Sequence, residues 1–365
     1  MRRMPELPEV QTIVSQLQRV LPGQAVASVS IRPGKIFRTG GSALKAALPG
    51  RRIERVARHG KRIIIELSRR AAPAHSQPLR GGGRSGRPTR ASRGMTADED
   101  IGRLELGTSA AWTADEGVGR CVPVESALVV HLGMTGGLFV VPTDGPVRKH
   151  THLRVRFVGR PFELRFVDPR RFGGVWLVDD ERRDSGTSNA RRDSRTSDPP
   201  PPARCRRHTR QAAAGLRELG PDALTLRVPV LRAVLRRRRR IKALLLDQQA
   251  VSGLGNIYCD EALFAAGIHP LTRASDLNER QVRALAGAIR RTLRASIASG
   301  GTTVSDYRDA GGNMGGFQRR LRVYGREGEP CPRCGSSIRR ILAAGRSTHL
   351  CPRCQPRRKR SGIAG

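Results

Sequence analysis

The sequence predicts an α+β chain: an N-terminal helix, a two-sheet β-sandwich, a helical domain and a small metal-bound hairpin. Three observations carry this. Leu7, Val10, Val14, Leu17 and Leu21 recur at helical spacing and stop at Pro22-Gly23. Apolar residues between 24 and 68, and again from Ala127 to Leu177, alternate in twos between Gly and Pro turns, as strands of a sandwich do. Cys331-Pro332-Arg333-Cys334 and Cys351-Pro352-Arg353-Cys354 stand sixteen residues apart, the interval of a zinc ribbon.

Taken in order, Pro8 suits a first helical turn and Glu9 the positive end of its dipole. Strands then follow at Val26 to Ile31, Ile53 to Val56 and Ile63 to Leu67, the last opened by Lys61. Residues 69–125 are low-complexity, with few periodic apolar positions, and disorder is expected there. Strands resume at Ala127, which gives an N-terminal helix-and-sandwich domain over residues 4–180. A second insertion, 181–213, is rich in Arg, Ser, Asp and Pro and reads as a linker; its Cys205 is expected to be an incidental thiol. A helical domain spans 214–324, its apolar pattern running from Gly215-Leu216 through Leu245. Asn278 with Gln281 predicts the cap of a long helix whose face is Val282, Leu285, Ile289, Leu293 and Ile297. The glycine-rich segment from Tyr307 to Phe317 is expected to be mobile. A zinc module follows over 325–356, with strands at Ile338–Leu342 and Ser347–Leu350, and a basic tail over 357–365.

The 365 residues carry a formal net charge of +37 and a pI near 11.7, which points to a polyanionic partner, most simply nucleic acid. Only six of the 68 basic residues are lysine, so part of this charge reads as codon bias rather than binding surface. No run reaches membrane-spanning length, and no apolar signal core follows the basic start. Seven cysteines fit no even disulfide framework, and four fall in the metal pattern, so a reducing cytoplasm is expected. Four thiolates on two tight turns close a tetrahedral site around one structural Zn2+, with no open position for catalysis.

Chemistry concentrates at Met4-Pro5-Glu6-Leu7-Pro8-Glu9-Val10. Proline is the one residue whose free α-amino group is a secondary amine, and its adduct with an aldehyde is an iminium that needs no proton to be cationic. An unperturbed α-amino group titrates near pH 8, so a useful fraction is unprotonated at neutral pH. Glu6, next along, is placed as acid or base. The ordinary reading of the same residues is the start of a helix.

This stretch resembles the amino terminus of the formamidopyrimidine-DNA glycosylase family of bacterial DNA glycosylases and abasic-site lyases. The matches run in unbroken order from Met4 to Cys354, interrupted only by the two insertions. The resemblance implies catalytic Pro5 and Glu6, with Lys61 at phosphate beside the lesion. His131 resembles a phosphate contact, while Met134, Arg170 and Phe172 resemble the plug that fills the duplex when a base is extruded. The Gly253-Leu254-Gly255-Asn256 turn resembles the family's helix–two-turns–helix module, in which Asn256 and Lys242 grip phosphates. The glycine-rich segment resembles the loop that closes over an everted purine; Tyr324 resembles a further phosphate contact, and Arg346 an arginine inserted at the lesion. Taken singly, these residues also read as core packing, surface ion pairs and solvated cations.

The implied activity is removal of oxidised purines, 8-oxoguanine and formamidopyrimidines, from double-stranded DNA. Cleavage at the abasic site by β,δ-elimination follows, carried out by a monomer in a bacterial cytoplasm, nucleoid-associated through DNA. Leu7 favours this purine-directed branch over the endonuclease VIII type, usually Gly there, whose pyrimidine-directed activity is one alternative. Met1-Arg2-Arg3 departs from the pattern, because it buries the Pro5 nitrogen in a peptide bond. Translation from Met4 is expected; otherwise the chain is a damaged-DNA-binding protein without catalysis.

Overall fold

The computed structural model describes residues 4–68, 126–179 and 219–357. The expected insertion 69–125, the linker 181–213, Cys205 and the tail beyond Arg357 lie outside the described residues.

Helix α1 (Leu7–Val20) starts at Glu6, whose backbone N–H donates to the Glu9 carboxylate at 2.9 Å, so the first turn closes on its own acidic residue. Its apolar stripe is divided between two cores. Val10, Ile13, Val14, Leu17 and Leu21 pack into the sandwich, while Leu7 belongs to the helical core. The first helix is therefore shared by both halves of the molecule.

The sandwich has two four-stranded antiparallel sheets. One runs β1 (Val26–Ile31), β6 (Thr151–Phe157), β7 (Phe162–Val167), β5 (Gly137–Pro142) in spatial order. The other runs β2 (Ile53–His59), β3 (Arg62–Leu67), β4 (Ser126–His131), β8 (Gly174–Asp179). In β3, Ile63, Ile65 and Leu67 face the core at alternate positions. Strand β4 is apolar without alternation because its outer face is covered too, Val129 packing with Ile64, Trp176 and Val178. One element escaped the strand pattern: Gly41–Ala47 is helix α2, anchored by the single buried residue Leu44. A seven-residue helix with one inward side chain leaves no periodicity to read.

The helical domain holds α3 (Val228–Leu235), α4 (Ile241–Leu246), α5 (Asn256–Ala266) and α6 (Glu279–Ala298). The expected helical run breaks between α3 and α4 at residues 236–240, five consecutive exposed arginines whose mutual repulsion disfavours a continued helix. The capping box of α6 forms as expected, Gln281 N–H donating to Asn278 Oδ1 at 2.9 Å. Strands β9 (Arg339–Ala343) and β10 (Arg346–Leu350) make the terminal hairpin. Its two-residue turn uses positive φ at Ala344 and Gly345, the geometry that matches strand twist.

The glycine-rich segment is tied down around Asp309. Asp309 Oδ1 accepts the N–H groups of Gly311 at 3.0 Å and Asn313 at 2.8 Å. Gln16 of α1 donates to Asp309 Oδ2 and accepts the Ala310 N–H, both at 2.8 Å. Asp309 and Gln16 supply fixed partners that the glycine count does not disclose.

Leu17 is fully buried on the α1 stripe. Leu17→Ala is expected to cost roughly 2–5 kcal/mol, read as a lowered urea midpoint; an unchanged midpoint would place the weight of the core elsewhere.

Candidate active site

A cavity of about 960 Å³ opens where sandwich, helical domain and hairpin meet. Glu6, Lys61, Met134 and Arg170 line it from the sandwich side, Gly255 and Asn256 from the start of α5, and Tyr324, Arg346 and His349 from the hairpin side. Seven of the residues implied by resemblance therefore converge on one space.

Glu6 is the most constrained of them. Its carboxylate, 5% exposed, sits against the amino terminus of α5 and accepts the N–H groups of Ile257 at 3.0 Å and Tyr258 at 3.5 Å. Unsatisfied amides at a helix start are a natural anion site. Burial nonetheless pushes the Glu6 pKa up to about 7; nearby Lys61 and the two amides pull it down, and Glu9 adds to the rise. Lys61, partly buried beside it, is shifted down by burial and by Arg346, while Glu6 opposes that shift. A carboxyl group poised between charge states thus faces a lysine whose proton is loosened.

The glycines of the following turn serve this packing. A side chain on Gly255 would collide with the Glu6 carboxylate, and one on Gly253 (φ +96°) with Leu7. Leu7 N–H also donates to Gly253 O at 3.1 Å. Both glycines thus admit the start of α1.

Pro5 is buried, and the residue on the cavity wall at this point is Met4. Two further loops of the sandwich hold the implied plug. Asp168 accepts Thr135 Oγ1–H at 2.7 Å and the Gly173 N–H at 2.8 Å, locking the Arg170 loop to the Met134 loop. Gly133 is required there, since a Cβ would strike the backbone of Phe172 and Gly173. Met134 and Arg170 line the cavity, whereas Phe172 lies beside it, 52% exposed with the Arg170 guanidinium 4.8 Å above its ring. His131 is not on the wall. Its Nδ1 accepts the Gly133 N–H at 3.2 Å, and burial, with Arg62 and Lys61 nearby, pushes its pKa down to about 4, so it is neutral at pH 7.

Lys242 corrects the expectation of a phosphate grip. It has no exposed surface, and its Nζ donates to Asp260 Oδ1 and Thr348 Oγ1, both at 2.6 Å, and to Ser347 O at 3.3 Å. Asp260 Oδ2 accepts the His349 N–H at 2.9 Å, so the pair clamps β10 onto α5 and leaves the ammonium no donor to spend on a ligand. Asn256 helps, donating to Ser347 O at 2.8 Å, which sets the strand carrying Arg346. Tyr324 is 3% exposed; it reaches the wall edge-on to His349, ring centroids 5.0 Å apart. Glu261 fixes the chain before it by accepting the N–H groups of Val323 and Tyr324, both at 2.9 Å.

Sequence reasoning missed the polar core behind Glu6. Buried Glu9 accepts from Tyr258 Oη–H and, at 2.8 Å, from the Thr302 N–H, and Tyr258 Oη meets Ser296 Oγ and Thr302 Oγ1 at 2.6 Å. Burial raises the Glu9 pKa as well, and these hydrogen bonds oppose the rise. Nothing at helical spacing separates such a residue from an ordinary helix-start glutamate. The glycine-rich segment contributes no residue to the cavity wall; it docks on α1 and β5, Val140 N–H donating to Ala310 O at 2.9 Å.

In the terminal module the Sγ atoms of Cys331, Cys334, Cys351 and Cys354 lie within 4.8 Å of one another. Four soft sulfur donors at tetrahedral reach suit one structural Zn2+ that closes the base of the hairpin.

This assembly defines a class: a sandwich–helix–zinc-ribbon protein with an acidic group and cations at the start of its chain. Residues 4–175 match the model of the formamidopyrimidine-DNA glycosylase N-terminal domain. Residues 219–308 match that of the family's H2TH domain, and residues 328–357 a zinc finger found in Fpg and isoleucyl-tRNA synthetase. A formamidopyrimidine-DNA glycosylase of Moorella thermoacetica is 36% identical over 339 residues, 92% of this chain and 93% of the relative. The enzyme of Acaryochloris marina is 44% identical over 214 residues, 58% of this chain and 66% of its own. The Lactococcus lactis Fpg bound to abasic-site DNA superposes with a TM-score of 0.68 at 27% identity, covering 97% of this chain and all of that one. The chain belongs to the formamidopyrimidine-DNA glycosylase family.

The raised Glu6 pKa has a signed consequence. Folded Glu6 keeps its proton up to about pH 7 whereas the unfolded side chain, near 4.5, does not, so ionisation penalises the folded state increasingly between these values. Glu6→Gln is expected to gain stability relative to the parent as pH rises from 4.5 to 7 and to level off above, in parallel urea melts; a constant difference would contradict the shift.

Proposed function

We propose that this chain removes oxidised purines from double-stranded DNA and then cuts the strand, with the nitrogen of Pro5 as nucleophile in a form that begins at Pro5. One observation carries the reading: a buried carboxyl poised near neutrality stands beside Pro5 on the wall of a cavity that also holds Lys61 and Arg346. Lactococcus lactis relatives bound to DNA containing Fapy-dG or an abasic site support the choice of substrate.

The chemistry then follows from atoms already named. The Pro5 nitrogen attacks the anomeric carbon of the extruded nucleotide, and the base departs with its bonding electrons and takes up the proton that the nitrogen releases. Protonated Glu6 delivers its proton to the sugar ring oxygen, the ring opens, and an iminium links Pro5 to the deoxyribose. That cation acidifies the neighbouring carbon; loss of its proton expels the 3′ phosphate, and a second elimination expels the 5′ phosphate. Water hydrolyses the iminium and frees Pro5. Met134 and Arg170, on the same cavity's wall, are suited to fill the vacated stack and to hydrogen-bond the widowed base. Zinc takes no step; its four thiolates shape the hairpin that carries Arg346.

A second reading rests on Met4. While residues 1–4 remain attached, the Pro5 nitrogen is an amide and Met4 occupies the wall where the sugar would dock, leaving recognition without chemistry. The two forms separate the readings. With abasic-site duplex and borohydride, protein starting at Pro5 is expected to form a covalent adduct and protein retaining Met1 is not; equal trapping by both would overturn the nucleophile.

Arg346 is exposed at the cavity rim and is read as a phosphate contact. Arg346→Ala is expected to weaken binding of all duplex sequences alike and to lower the salt dependence by about one unit of log–log slope. A loss confined to one sequence would contradict that role.

A further inference from the structure

A second cleft, of about 410 Å³, lies between α5, α6 and the chain leading into the zinc ribbon, and shares no lining residue with the catalytic cavity. Arg291 enters it from α6, Arg320 and Arg322 from the connecting segment, and Arg333 from the first cysteine turn. None of the four forms an ion pair with an acidic side chain among the described residues, unlike Arg239 with Asp247 or Arg340 with Glu327. The one carboxylate on the wall, Glu261, is already occupied by the amides of Arg322, Val323 and Tyr324.

Two features make this more than scattered surface charge. Arg333 is held in place, its guanidinium 4.6 Å above the Phe264 ring and its Nη2 donating to Ala265 O at 3.4 Å. Ala265, Ala288 and Ala295 keep the floor low beside Thr292 and the Phe317 ring, leaving open the space the guanidinium groups surround. Four like charges facing a single carboxylate already bound by amides repel one another, and an anion bound among them relieves that cost. Planar guanidinium donors also match phosphate geometry in a bidentate way.

We infer that the cleft bounded by Arg291, Arg320, Arg322 and Arg333 is a second anion site, built to take a phosphate-bearing ligand while the catalytic cavity is occupied. Its size suits a phosphate group carrying a nucleoside, whether free or part of a second nucleic-acid segment. The site stands independently of the reaction assigned to the catalytic cavity.

The test uses the full chain with zinc bound and its catalytic cavity filled by one equivalent of a short duplex. Titration calorimetry with pyrophosphate is expected to show saturable 1:1 binding. Affinity should fall by about tenfold or more in Arg320→Ala/Arg322→Ala and, on a different element, in Arg291→Glu, as loss of charge-assisted bonds requires. Both variants are expected to keep their zinc and their affinity for the first duplex, which separates a lost site from a lost fold. Absence of saturable binding, unchanged affinity in both variants, or loss of the site whenever the first duplex is bound would each overturn the inference. Added undamaged duplex distinguishes the source: displacement of pyrophosphate assigns the site to a second DNA segment, and persistence assigns it to a free nucleotide-like anion.

Discussion

The arrangement depends on one buried carboxylate. Glu6 ends the chain's approach to α1 and at the same time takes the free amides that open α5, so the start of the first helix and the start of the recognition module are held by the same two oxygens. A carboxylate in that position is favoured by helix-start amides and penalised by loss of water. The penalty exceeds the help, and a pKa of about 7 results. The structural anchor and the group poised between charge states are therefore one and the same. Moving it to suit one role would spoil the other.

Successive shells keep this group in place. Gly255 opens the space it needs and Gly253 that of Leu7 beside it, and Glu9, with Tyr258, Ser296 and Thr302, joins α1, α5 and α6 behind it. Further out, Lys242 and Asp260 bind β10 to α5, so Arg346 on the hairpin has a fixed relation to Lys61 and Glu6 on the opposite wall. A buried ion pair of this kind is weak evidence for net stability but strong evidence for register, because breaking it strands a charge. Zinc closes the far end of the same hairpin. The cavity is thus framed by three elements far apart in sequence, each fixed by buried polar contacts.

Much of this was legible in the sequence, and the reasons differ by residue. The cysteine pairs were plain because metal geometry enforces spacing. The α1 stripe and the α6 cap were plain because periodicity and capping are local. The convergence of Glu6, Lys61, Met134, Arg170, Asn256, Tyr324 and Arg346 came through family resemblance, since no local pattern reports which loops meet in space. Lys242 departs from what the resemblance implies for the same reason: Asp260 and Thr348, its actual partners, are distant or unremarkable in sequence. In the glycine-rich segment the glycine count is visible in sequence, while the docking of Asp309 on Gln16 is not. Helix α2 left too short a pattern to find.

The central claim is that the nitrogen next to Glu6, and not the neighbouring lysine in the same cavity, bonds to the sugar. Digestion of the borohydride-reduced protein–DNA adduct, followed by mass mapping of the peptide that carries the deoxyribose remnant, tests it directly. The remnant is expected on the amino-terminal peptide at Pro5. A remnant on Lys61 would contradict the account.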